Sequence, residues 1–196
     1  LHAGGLGESV AGYFSSADEY SHLANPYSNE REMFYIAADN GKARPNTPGY
    51  DEVLAHEFQH MIHWNNDREE AAWVNEGMSE LAGHLNGYET SGFEYAYADE
   101  PDTQLNTWAD SSQRNVAHYG ASYLFMDYFL DRFGENLTKA VVASKKQGIA
   151  GFDDALAKAG WSERFNDIYA DWLVANYLDQ PDAAPKGRFG YSAIDP

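Results

Sequence analysis

The chain has 196 residues, 43% hydrophobic and 15% aromatic, which is enough for one packed domain and excludes a disordered chain. Its 31 acidic against 13 basic residues leave a net charge of −18, which disfavours nucleic acid and anionic membranes as partners. There is no cysteine, so disulfides and thiolate metal sites are excluded. No apolar run approaches the roughly eighteen residues of a membrane span. Leu1 is neither a methionine nor the start of a signal peptide, which fits a mature or excised domain of a longer precursor.

The first forty residues read as strands and turns. Val10–Ser15 is a short strand candidate and Glu32–Ala38 a better one, followed by Asp39-Asn40-Gly41 as its turn. The second strand, with Tyr35, Ile36 and Ala37 at its centre, is either an ordinary sheet strand or an edge that pairs with an extended substrate through backbone hydrogen bonds. The proline-containing stretch 44–49 then delivers the chain to a helix beginning near Tyr50. Further helices are predicted over 69–87, 116–133, 135–146, 151–159 and 162–178. Gly134, Gly148 and Gly160 stand where C-caps belong. The acidic stretch from Tyr88 to Asn115 reads as irregular. The expected architecture is α+β and predominantly helical, one unit over 1–196, with a sheet and active-site helix in 1–66 and a helical lobe in 67–196.

The helix near 50–64 carries His56-Glu57-Phe58-Gln59-His60, an HExxH motif. Residues four apart lie about 40° apart around a helix and one turn along it, so both imidazoles project from one face and can share a metal ion. Glu57 flanks that face and can act as general base on an attacking water. Leu54, Phe58, Met61 and Ile62 fall on the opposite side and predict an apolar back against the core. His63 is too far along the axis to join His56 and His60 at one metal, which leaves a place behind the metal ligands, a cleft wall or an exposed position. Trp64, Trp73 and Trp108 are either pocket walls or core.

A catalytic zinc usually has three protein ligands, and without cysteine the third must be His, Asp or Glu. The next helix contains Trp73-Val74-Asn75-Glu76-Gly77-Met78-Ser79-Glu80-Leu81. Val74, Met78, Leu81 and Leu85 form its apolar back, while Glu76, Glu80 and His84 share the front with Gly83 and Gly87. Later, His118 and Tyr119 open a strongly apolar helix and suit the lining of a cleft. The carboxylate clusters Asp99-Glu100-Pro101-Asp102 and Asp153-Asp154 could bind calcium, although neither has EF-hand spacing; solvated loop charge is the plainer reading.

HEFQH followed by WVNEGMSEL resembles the gluzincin clan of zinc peptidases. Together with HYGASYLF, the motifs are similar to the hyicolysin-like group of secreted bacterial peptidases. The resemblance covers roughly residues 25–180. It implies a zincin-like catalytic domain, zinc as cofactor, a protein or peptide substrate and an extracellular setting. It also implies Glu76 as third zinc ligand beside His56 and His60, with Asn75 and Glu80 behind the ligands. One departure keeps Glu80 open as the third ligand: fifteen residues separate His60 from Glu76, and the better-known branches use slightly longer connections. The clan also places a His or Tyr on a later helix as donor to the oxyanion, which maps to His118 or Tyr119. Two alternatives to an endopeptidase remain. One is an aminopeptidase of the same clan, although no Gly-x-Met-Glu-Asn-like segment is present. The other is a zinc-stabilised binding or adhesion domain, for which Glu57 would have no use.

Overall fold

The computed structural model describes residues 2–6, 10–37, 43–88, 92–109, 115–192 and 194. Three short strands, β1 (His2–Ala3), β2 (Gly12–Phe14) and β3 (Phe34–Ala37), precede seven helices: α1 (Pro48–Asn66), α2 (Ala72–Leu85), α3 (Phe93–Asp99), α4 (Val116–Phe133), α5 (Glu135–Val142), α6 (Ile149–Lys158) and α7 (Phe165–Leu178). The fold is therefore α+β and predominantly helical. Among the described residues no helix is long and apolar enough to cross a membrane.

The sheet order is β1-β3-β2, with β3 parallel to β1 and antiparallel to β2. This corrects the expectation that β3 is an edge available to substrate. It is flanked on both sides, Ile36 and Ala37 are buried, and the Tyr35 hydroxyl donates to Asp18 Oδ2 at 2.7 Å. The outer strands are β1 and β2, and the Tyr13 ring of β2 stacks on Tyr35 at 4.5 Å. The turn expected at 39–41 lies outside the described residues.

Thr47 begins α1: its hydroxyl accepts a hydrogen bond from the Tyr50 amide at 3.3 Å, and Pro48 follows in the first turn, where a missing N–H costs nothing. The apolar back expected of this helix is only partly buried. Leu54 and Met61 are half-buried, but Phe58 is 50% and Ile62 39% exposed, and both line an open groove with Phe34 and Tyr88. The most buried side chains of α1 are Glu57 and His63. The reason is positional: the sheet and α2 close on the histidine side, so the polar face is the packed one. His63 accordingly is neither a cleft wall nor exposed; it is enclosed, with Nε2 3.6 Å from Glu70 Oε2.

The main core lies beyond α2, where Trp73 of α2 meets Phe125 of α4, Phe152 of α6 and Phe165 of α7, with Trp172 of α7 against Phe125 at 5.5 Å. Such aromatic contacts add to the burial of each ring and set a specific geometry. Val74, Met78 and Leu81 join this core, whereas Leu85 is exposed at the helix end. Thus α2 has one face on the core and the other on α1. Gly134 and Gly160 end helices with φ of 80° and 82°; Gly148 instead precedes α6 as its N-cap. The segment 88–115 is not wholly irregular, since it contains α3.

Candidate metal centre

α1 and α2 present three donor atoms to one point. His56 Nε2 and His60 Nε2 each lie 3.4 Å from Glu76 Oε2 and 2.9 Å from each other. Among the described residues this is the group of His, Asp and Glu side chains able to hold a metal ion. Donors about 2.0–2.1 Å from a tetrahedral ion stand roughly 3.3 Å apart, so the spacing fits.

The hydrogen-bond pattern explains why a cation belongs there. His56 Nδ1 faces Glu80 Oε1 at 3.1 Å. His60 Nδ1 faces Asn75 Oδ1 and Ser79 Oγ, each at 3.1 Å, and the Ser79 hydroxyl donates onward to the Asn75 carbonyl. Both rings therefore donate from Nδ1, which leaves the two Nε2 lone pairs aimed at each other and at a carboxylate oxygen that has no hydrogen-bond donor of its own. Three converging acceptors repel unless a positive charge sits among them. The proton equilibria carry the same message. Burial opposes a charged His56, but hydrogen bonds and charge from Glu76 and Glu80 outweigh it and hold its pKa well above the ordinary value. Burial likewise opposes ionisation of Glu76, yet His56 and His60 hold its carboxyl down at about 2.

The geometry separates the two glutamates that the sequence left in competition. Glu76 reaches the Nε2 side of the histidines, and Glu80 lies behind His56 on its Nδ1 side, where it orients the ring and increases its basicity. Sequence reasoning gives Ser79 no role. Its signal is the helical spacing, four residues after Asn75 and three after Glu76, which puts its hydroxyl beside His60.

Glu57 lies beside this group and outside it. Its carboxylate accepts from the Phe14 backbone of β2, while Oε2 is buried with no partner. Burial raises its pKa, against the partial counter-effect of the two histidines. Gly12 makes the close approach of β2 possible: a Cβ there would fall 2.7 Å from Val53 Cγ1, 2.8 Å from the Tyr35 carbonyl and 3.3 Å from Glu57 Cγ.

An open cleft of about 480 Å³ exposes the centre, walled by Gly12, Tyr13 and Phe14 on one side and by Trp64, Asn75 and Tyr119 on the others. Tyr119 is brought to the centre, where its hydroxyl hydrogen-bonds Glu76; burial and then the charges of Glu76 and Glu80 raise its pKa and keep it protonated. His118 packs against Trp108 with ring centres 5.8 Å apart. Of the three tryptophans, Trp64 walls the cleft, Trp73 is core and Trp108 supports Tyr119. Of the two carboxylate clusters weighed for calcium, Asp153-Asp154 is otherwise engaged: Asp153 accepts from the Phe165 amide, and Asp154 pairs with Lys146 and Lys158.

The chain matches no protein-family model, and no curated protein matches it in sequence.

Proposed function

We propose that this chain is a zinc-dependent peptidase of the gluzincin type, an endopeptidase acting on protein or peptide substrates outside the cell. The observation that carries this reading is a three-donor group, His56, His60 and Glu76, open to a cleft and accompanied by a buried carboxylate, Glu57, that is not part of it. A purely structural site would close with a fourth protein donor and needs no such base. His56, His60 and Glu76 would hold the ion, and bound zinc supplies Lewis acidity toward water and the scissile carbonyl.

The chain's own groups supply the rest. Glu57 takes a proton from the attacking water and delivers it to the leaving amine. Its raised pKa favours keeping that proton between the two steps. Tyr119, held protonated, donates to the oxygen on which negative charge develops. The outer edge of β2 offers backbone groups to an extended peptide.

The test is hydrolysis of an unfolded protein substrate by zinc-loaded protein, after chelation, and by Glu57→Gln. Chelation abolishes activity and zinc restores it, while the Gln variant binds zinc normally and loses about 10²–10⁴-fold in rate. Undiminished hydrolysis by Glu57→Gln would overturn the mechanism.

A further inference from the structure

Beside one wall of the cleft, on Trp64, rests a cation that has no ion-pair partner among the described residues. Trp64 lies one helical turn beyond His60 on α1 and walls the same cleft as the metal group. The Arg68 guanidinium sits over the Trp64 ring, 4.5 Å from its centre, and 5.9 Å from the centre of the Tyr20 ring. Phe14 and Tyr20 complete the aromatic cradle, with ring centres 6.1 and 6.0 Å from Trp64.

A chain with 31 acidic residues has no shortage of partners for an arginine. Arg132 and Arg188 are paired with carboxylates, whereas Arg31, Arg44 and Arg164, like Arg68, form no ion pair among the described residues. Arg68 is exposed. Two of its nearest acidic neighbours in sequence are turned away. Asp67 accepts from the Glu69 amide and from Gln147 Nε2, and Glu70 accepts from the Ala71 and Gly148 amides and faces His63. A guanidinium resting on an aromatic face is held in place while its edge N–H groups stay available, which is the arrangement that recognises carboxylates in a fork.

We infer that Arg68, seated on Trp64 and Tyr20, forms a carboxylate-binding subsite that selects peptides with a negative charge near the scissile bond. The inference rests on the peptidase reading for its position in the substrate. Trp64 is about 6 Å along the helix from His60, and the Arg68 guanidinium, beyond the helix end, lies 4.5 Å from the Trp64 ring centre. At about 3.3 Å per residue of extended chain, the recognised carboxylate lies roughly two to four residues from the bond cleaved, on one side only. The source is either an acidic side chain or the carboxyl terminus of a short peptide. The surrounding negative field repels such substrates generally, so a local cation decides where along the peptide an acid is accepted.

The experiment uses zinc-loaded full chain and a fluorogenic peptide series in which one Glu is moved through four positions on each side of the cleaved bond. Each peptide has a Gln counterpart, and the series is made with free and with amidated C-termini. The wild type shows a Glu/Gln ratio of kcat/KM of about ten at one position within the window, or the same ratio for free acid over amide. Arg68→Ala brings that ratio to within twofold of unity, and Arg68→Lys retains part of it. A flat series in the wild type, or a ratio unchanged in Arg68→Ala, overturns the subsite and leaves the peptidase reading intact. Fluorescence anisotropy of the same labelled peptides on Glu57→Gln separates the two ideas. Tighter binding of the Glu peptide that depends on Arg68, without cleavage by the wild type, upholds the subsite and removes the peptidase reading.

Discussion

Two polar clusters in this protein, one built around arginine and one around histidine, handle their charges in opposite ways. On the far side of α4, Arg132 donates to Tyr128 Oη at 2.9 Å and to Asp171 Oδ2 at 2.7 Å, and it also pairs with Glu163; Arg188 adds a second donor to Asp171 at 2.9 Å. Every charge there is answered by the protein. In the seam between α1 and α2, the outer atoms are answered, through Glu80, Asn75 and Ser79, but the inner atoms are not: Glu57 Oε2 and Glu76 Oε2 are buried without a donor. A satisfied cluster holds elements together. An unsatisfied cluster at a cleft is arranged for something that arrives later, because an unanswered buried charge is too costly to persist without a compensating role.

The contrast is broken most forcefully by removing the centre of each cluster. Arg132→Ala leaves the Asp171 carboxylate with Arg188 alone and is expected to cost about 2–3 kcal/mol of folding stability, read from urea unfolding, with zinc affinity of the folded protein unchanged. Glu76→Ala should do the reverse. It weakens zinc binding about a thousandfold, roughly 4 kcal/mol by chelator competition, while the metal-free protein loses less stability than Arg132→Ala costs, since the carboxylate's partners there are histidines that can release their protons. Should Glu76→Ala destabilise the metal-free fold as much as Arg132→Ala does, the distinction between the clusters collapses. A smaller effect sharpens it: Glu80→Ala leaves the donors in place but frees His56 to rotate, and is expected to weaken zinc binding about 10–100-fold.

Legibility in the sequence followed the same division. The HExxH spacing and the glutamate helix were readable because each is a local helical fact, set by positions four residues apart on one element. What could not be read depended on which side a distant element takes. Phe58 and Ile62 look like the buried back of α1, but α2 and the sheet pack on the other side, so those residues line a groove instead. β3 looks like an edge because its partner β1 is only two residues long and lies more than thirty residues upstream. α3 is seven residues with an acidic end. It is held by tertiary contact with α4, where Gly120 lets the Phe93 carbonyl come so close that a Cβ would clash with it. Glu76 and Glu80 share a helix face in the sequence, and only the position of α1 assigns one to each side of His56.

Asp127 is the case that tests how far the contrast extends. It is buried in α4 with no hydrogen-bond donor to either oxygen, as unsatisfied as Glu76, yet it faces the core. His84 Nε2 stands 3.9 Å from Oδ1, too far for a hydrogen bond, and the Tyr123 hydroxyl nearby is likewise unpartnered. Burial, and then the charge of Asp131, raises its pKa to about 7, so it answers its environment by keeping its proton. The sign follows from linkage. The folded carboxyl holds a proton that the unfolded one releases near pH 4, so stability falls as pH rises from about 4 to about 7 and stays low above that. Asp127→Asn removes the titration. It should match the wild type at pH 4 and exceed it at pH 8 by about 1–2 kcal/mol, less than the full shift implies because local opening lets water reach the carboxylate. Equal stability of the two proteins at both pH values would mean that Asp127 has a partner after all. The rule separating satisfied from unsatisfied clusters would then hold without needing a proton to complete it.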